Sequence, residues 1–386
     1  MHVHALVAAL ESIAPLNLAE SWDKVGLLVG DLAQEFSGPI LLAIDLSEDV
    51  LDEAIDLGAG AIIAYHPPIW EPLKRLTASS ATERIILRAA RAGIIIYSPH
   101  TALDACTGGI NDWLCEGFAP VAKSSKSAPV AGDCRALTPH AELASTQELK
   151  IVTFVPEADA NRIRQGLATA GAGIIGGYQV CSFAAPGTGT FLATEGTNPR
   201  IGQRNHLEHV PEVRLEMVVS AAGLALALET LRQFHPYEEP AIDVYTLHAK
   251  PQRSVGPGRR LVLDRPATIN TLAERIRSFL GVEHVLVATP RDWSASKQIE
   301  RIGICAGAGA SLVPLAHHEG CEIFFTGELK HHEVMDCLRR GLGVILAGHT
   351  NTERGYLPRL AQKLKSALPG CKTLVSRTDK DPLRVV

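Results

Sequence analysis

A chain of 386 residues, 46% hydrophobic and 20% charged, has ample material for a sizeable core in two or three domains and is not a low-complexity polypeptide. Its net charge of −5 excludes the basic footprint of a protein that binds nucleic acid over its whole surface. No apolar run reaches the roughly 18 residues of a membrane span, and Met1-His2-Val3-His4 lacks the cationic start of a secretory signal, so the expectation is a cytoplasmic protein without membrane contact.

The first 115 or so residues alternate apolar strands with helices. Residues 39–44 read as a buried strand, and Ser47 is placed to cap a helix beginning near Glu48. A second strand at 61–65 is stopped by His66-Pro67-Pro68. A helix over 81–91 leads to a third strand at 94–97, followed by Ser98-Pro99-His100. Such continuous apolar strands imply a mostly parallel or mixed sheet covered by helices on both faces. The small, polar run 123–129 reads as a linker. A β-α-β-β-α-β order follows: a strand at 150–155, a helix at 158–170, short strands at 178–183 and 213–219, a helix at 221–233 and a strand at 241–248. That order suggests an inserted ferredoxin-like module. The α/β pattern resumes after Gly256-Pro257-Gly258, with strands at 301–305, 322–326 and 344–347 and a last helix over 352–366. The reading is therefore an α/β domain in two halves, 1–125 and 256–386, interrupted by an α+β domain at 148–250. The eight cysteines, with no Cys-x-x-Cys pair, read as reduced core thiols.

Chemistry concentrates at the strand ends. His66 and His100 each follow the C-terminal end of a predicted strand, the edge at which open α/β sheets bind ligands. His349 follows the strand 344–347 in the same way, and Glu353 lies four residues on, on the same helix face. Any one of these histidines alone is more often a cap or core residue. Together, His66, Asp104, His349 and Glu353 offer imidazole nitrogen and carboxylate oxygen, a set that suits Zn²⁺, Mn²⁺ or Fe²⁺ better than Ca²⁺ or Mg²⁺. A centre of one or two such ions would activate water against a small substrate. The glycine-rich turn 306–310 either cradles a phosphate or is a tight packing turn, and it lacks the lysine of a P-loop. Glu328, His331, His332 and Glu333 cluster after the strand 322–326. His332 and His100 are the candidate proton carriers, with solvated helix positions as the competing reading for His332. His206, His209, His317 and His318 read as surface residues, and His235 with Glu238 and Glu239 as a structural turn.

The segments Trp22-Asp23-Lys24-Val25-Gly26-Leu27-Leu28-Val29-Gly30, Tyr65-His66-Pro67-Pro68, Ser98-Pro99-His100-Thr101-Ala102-Leu103-Asp104, Phe325-Thr326-Gly327-Glu328-Leu329-Lys330-His331-His332 and Gly348-His349-Thr350-Asn351-Thr352-Glu353 together resemble the Nif-three-like family. Bacterial members are often named GTP cyclohydrolase type two homologues. The middle of the chain resembles the PII/CutA-like insert of longer members. The resemblance implies a dinuclear metal centre facing the cavity of a toroidal homohexamer. His66, Asp104, His349 and Glu353 would be the ligands, Glu353 would bridge, and His100 would line the site. Many bacterial members have His-His-Pro where this chain has Tyr65-His66-Pro67, which leaves one or two ions per subunit open. The expected function is a metal-dependent hydrolase of a small phosphorylated or nucleotide-like substrate. The alternative is a non-enzymatic metal-binding regulator whose insert senses a ligand.

Overall fold

The computed structural model describes residues 1–120 and 132–383, so the predicted linker at 123–129 lies outside the described residues. The chain divides into two compact units, one made of Met1–His140 with Gln252–Val386 and the other of Ala141–Pro251.

The larger unit holds two mixed sheets. In spatial order the first runs Gly26–Val29, Ile95–Ser98, Ala61–Ala64, Ile40–Ala43, Thr373–Val375. Its first pair is antiparallel and the remaining pairs are parallel. The second runs Leu286–Ala288, Gly343–Leu346, Ile323–Thr326, Gln298–Ile304, Arg259–Thr268, Gly132–Ala136, with its central three strands parallel. Side-chain alternation divides each strand between two cores. Ile40, Leu42, Ala61 and Ile63 point into a core shared with Ile302, Ile304, Ile323, Phe325 and Ile345 of the second sheet. Leu41, Ala43, Ile62 and Ala64 point the other way, against Val50, Leu51, Ile85, Ile86 and Ala89 of the helices Glu48–Asp56 and Ala81–Arg91. Those two helices start as their sequences require, with Ser47 and Ser80 accepting the N–H of Val50 and Glu83.

The predicted last helix is split into Asn351–Arg354 and Leu357–Ala367, with Pro358 in the first turn of the second piece, where its missing N–H is harmless. The segment beyond it is pinned along the first sheet. Ser376 N–H donates to the Leu42 carbonyl, Glu53 accepts from Ser376, Arg377 and Thr378, Asp379 accepts the Ile44 N–H at 2.7 Å, and Asp381 accepts the Thr350 hydroxyl at 3.0 Å. Arg259, 1% exposed, joins the chain on either side of the insertion. Its five N–H groups meet Asp112 and the carbonyls of Gly256, Gly258, Ala105 and Cys106.

The smaller unit is a four-stranded antiparallel sheet in the order Ile242–Thr246, Leu149–Val155, Leu207–Val219, Phe183–Leu192. Numbered along the chain this is 4-1-3-2, the ferredoxin-like arrangement, and the helices Glu157–Thr169 and Leu224–Phe234 share one core with Ile151, Val155, Leu215 and Met217. The strand read at 178–183 begins instead at Phe183. The Gly/Thr-rich run after it, loop-like in composition, pairs continuously from Phe183 opposite Glu216 to Leu192 opposite Leu207. Among the described residues no helix is long and apolar enough to cross a membrane.

Candidate metal centre

The parallel strands of both sheets in the larger unit deliver polar residues, and in one case a glycine turn, just past their C-terminal ends. Ile40–Ala43 leads to Asp45, Ala61–Ala64 to His66, Ile95–Ser98 to His100, Gln298–Ile304 to Gly307, Ile323–Thr326 to Glu328 and Gly343–Leu346 to His349. His66, His349 and Glu353 converge, one donor atom from each lying within 4.8 Å of the others, and this group could hold a metal ion. The two histidines are held alike. His66 Nδ1 is 2.9 Å from Asp45 Oδ1, and His349 Nδ1 is 3.0 Å from Glu328 Oε1. Each carboxylate engages Nδ1 and leaves Nε2 free to face Glu353, at 3.6 Å from Oε2 for His66 and 3.4 Å from Oε1 for His349. A carboxylate behind an imidazole fixes the ring and its tautomer and raises its strength as a ligand. Burial alone would lower the His66 pKa, but Asp45 and Glu353 outweigh it and push it up to about 10.

Glu353 is 1% exposed and its Oε2 has no hydrogen-bond donor. A buried carboxylate oxygen without a donor is strongly unfavourable unless a cation meets it. Gly307 closes the other side. At φ +58°, an added Cβ there would stand 2.7 Å from Glu353 Oε1 and 3.0 Å from His349 Nε2. The space, the unpaired oxygen and the two nitrogen donors fit a divalent transition metal.

Three N–H groups of the glycine-rich turn are not open to a phosphate. The N–H groups of Ala306, Gly307 and Gly309 are already taken by Asn111 Oδ1, Thr352 Oγ1 and Thr326 Oγ1 at 2.8–3.0 Å. Of the two readings, these bonds favour the tight packing turn, which sets Gly307 against Glu353 and His349.

Asp104 stands beside the triad and outside the convergent group. Its Oδ1 accepts the Tyr65 hydroxyl at 2.7 Å. Burial pushes its carboxyl up to about 7, against the opposing pull of His100 and the Tyr65 hydroxyl. Burial, reinforced by Asp104 and Glu353, holds the Tyr65 phenol well above its ordinary value. Ser98 Oγ donates to the Tyr65 carbonyl at 2.7 Å and so ties two strand ends together. His100 is 8% exposed and adopts φ +23°, a left-handed value unusual for any residue but glycine. Its ring centroid is 5.4 Å from that of His66, and its Nδ1 is 2.9 Å from Asp23 Oδ2, close but out of line for a hydrogen bond. Burial would raise Asp23, but His100 and Thr101 together hold it below the usual carboxylate range.

His332 is exposed on the first turn of the helix His331–Arg339, and no hydrogen bond joins it to the triad among the described residues. Glu333 caps that helix by accepting the Lys330 N–H at 2.7 Å. His235 is the structural turn its sequence suggests, with Nε2 facing the Phe154 carbonyl and Nδ1 accepting the Tyr237 N–H. Sequence reasoning missed Asp45. The available signal was a carboxylate directly after a buried strand, at the edge that also presents His66.

The family model for Duf34/NIF3 (NGG1p interacting factor 3) matches residues 1–382. A Halalkalibacterium halodurans protein named GTP cyclohydrolase 1 type 2 homolog is 33% identical, over 99% of this chain and 98% of that protein. The human NIF3-like protein 1 is 31% identical, over 100% of this chain and 93% of that protein. Among solved structures, a Bacillus cereus protein related to NIF3 matches with TM-score 0.64 and 31% identity, covering 100% of this chain and 99% of the other. The Staphylococcus aureus protein SA1388 matches with TM-score 0.76 and 25% identity over the same shares.

Proposed function

The chain belongs to the Duf34/NIF3 family, and on that premise we propose that it is a metal-dependent hydrolase of a small nucleotide-like or phosphorylated substrate, its ion held by His66, His349 and Glu353 with Asp104 completing the set. One observation carries the reading: two imidazoles, each held at Nδ1 by a carboxylate, aim Nε2 at a buried glutamate whose Oε2 has no donor. A divalent ion bound there supplies Lewis acidity toward a phosphoryl or carbonyl oxygen. The remaining work falls to the protein. Asp45 and Glu328 orient the two imidazoles, and the Gly307 turn excludes bulk water from one side. His100, one ring from His66 and backed by Asp23, is placed to carry a proton between the substrate and solvent. His332 is the second proton carrier proposed, and His332→Ala should slow turnover without loss of metal. A homohexamer acting in the cytoplasm belongs to the same proposal, and light scattering checks the assembly.

The test is metal analysis on protein purified without added ions. About one or two equivalents of Zn, Mn or Fe per chain are expected, and Glu353→Ala should abolish both the metal and turnover. Full activity in metal-free protein removes the reading. A second reading, a metal-binding regulator, is favoured by a cavity of about 660 Å³ in the smaller unit, lined by Phe154, Arg200, Glu212, Arg214 and Tyr237. Stoichiometric binding of nucleotides without product would select it.

A further inference from the structure

All eight cysteines are free thiols, and among the described residues one pair of their sulfurs meets. Cys115 Sγ and Cys134 Sγ stand 3.1 Å apart. A disulfide has an S–S distance of about 2.05 Å, so roughly 1 Å of closure separates the pair from a covalent bond. Cys115 lies near the end of the helix Ile110–Glu116 and is fully buried, whereas Cys134 is central in the strand Gly132–Ala136 and half-buried.

Two cysteines in contact can be no more than small apolar packing. The surroundings of this pair are different. Cys106 and Cys305 each donate to a nearby carbonyl, of Leu103 and Ala306, but among the described residues Cys115 Sγ meets only the other sulfur. Cys134 also faces Asp112 Oδ1 at 3.7 Å, and that oxygen receives Nε of Arg259, so a buried guanidinium stands beside both sulfurs. A fixed cation next to a sulfur that solvent reaches is the setting of redox-active cysteines. Burial, with the neighbouring sulfur, holds the Cys115 thiol well above its ordinary value, which suits the thiol that completes a disulfide rather than the one that meets the oxidant. Gly132–Ala136 is the outer strand of the six-stranded sheet and pairs on one side only, with Arg259–Thr268. The helix that carries Cys115 also carries Asn111, whose Oδ1 holds the Ala306 N–H of the turn beside Glu353.

We propose that Cys115 and Cys134 are a redox-active pair that hydrogen peroxide closes to a disulfide and a dithiol reopens, fastening the edge strand Gly132–Ala136 to the helix Ile110–Glu116. Cys134 Sγ attacks one oxygen of the peroxide. The S–O bond forms, the O–O bond breaks, and the departing hydroxide leaves as water with the Cys134 proton. Cys115 Sγ then attacks the sulfenic sulfur of Cys134. The S–S bond forms, the S–O bond breaks, and the hydroxyl leaves as water with the Cys115 proton. Two thiols thus give up two electrons and two protons, and one peroxide becomes two waters. Dithiothreitol reverses the step by exchange and is itself oxidised to its cyclic disulfide.

The test exposes the full-length protein to graded hydrogen peroxide, denatures it in N-ethylmaleimide, digests it without reduction and maps the peptides by mass spectrometry. A Cys115–Cys134 linked peptide should appear at the lowest effective dose, while the other six cysteines are still alkylated, and dithiothreitol should remove it. Cys115→Ser should stop the reaction at a Cys134 sulfenic acid that dimedone traps, and Cys134→Ser should leave Cys115 a thiol at the same dose. The wild-type map stands whether or not either serine variant folds. Amide hydrogen exchange at 133–136 should be about tenfold slower in the oxidised protein than in the reduced. Linkage of either cysteine to a different partner, or oxidation of the other six while this pair is still alkylated, overturns the proposal. Unchanged exchange in the linked protein overturns the fastening of strand to helix.

Discussion

Arg259 and Glu353 are both charged side chains, each 1% exposed, and each stands where chain from before the insertion meets chain from after it. Their surroundings are opposite. Arg259 places all five N–H groups on acceptors, one carboxylate and four carbonyls. Glu353 has an Oε2 without any donor; His66 Nε2 stands 3.6 Å from that oxygen and His349 Nε2 3.4 Å from Oε1. A buried charge with complete partners holds a fold together. A buried charge left incomplete, with its neighbours locked in place around it, marks a place for something the polypeptide does not itself supply.

The largest expected effect tests the satisfied cluster. Arg259→Leu strands Asp112 and four carbonyls, and urea denaturation should register a loss of about 3–5 kcal/mol. A loss below about 1 kcal/mol would mean the guanidinium is not structural glue. Next comes Glu353→Gln, which keeps the volume and removes the charge. Without metal the variant should be as stable as the wild type or more so. Zinc at about a hundred times its dissociation constant should stabilise the wild type by about 2.7 kcal/mol and the variant not at all. Equal zinc-induced shifts in melting temperature would erase the contrast between the two clusters. The smallest effect belongs to Glu53. Burial works against its ionised form, but hydrogen bonds from Ser376, Arg377 and Thr378 prevail and bring its pKa down to about 2. A depressed carboxyl stabilises the fold above its unfolded pKa and stops doing so as pH falls through the folded value. Solvent screens this part-exposed site, so wild type should lose only about 1 kcal/mol between roughly pH 4.5 and 2 that Glu53→Gln, already lacking it, does not lose. Parallel acid titrations of stability would sink that assignment.

Much of this was legible in the chain. The strand-and-helix alternation placed His66 and His349 at strand ends, and helical spacing placed Glu353 beside His349, because both follow from local geometry. What was not legible depends on pairing across long separations. Gly132–Ala136 and Thr373–Val375 are short and carry no strong strand pattern, and become strands because an existing sheet edge accepts them. The Gly/Thr-rich run after Phe183 is a strand because Leu207–Val219 pairs with it over its whole length. Whether the turn at 306–310 had free N–H groups could not be read either, since Asn111, Thr326 and Thr352 come from three other parts of the chain.

The strap after Val375 has a consequence for biogenesis. Asp379 grips Ile44, next to Asp45, and Asp381 grips Thr350, next to His349, so one short stretch ties down the neighbour of one backing carboxylate and the neighbour of the other imidazole. His66 leaves the ribosome early, yet its companions and their fastening follow only after most of the chain has been made. The donor group is thus complete only once Glu353 has been made, and an affinity handle fused just beyond Asp381 would pull on the stretch that ties down Ile44 and Thr350.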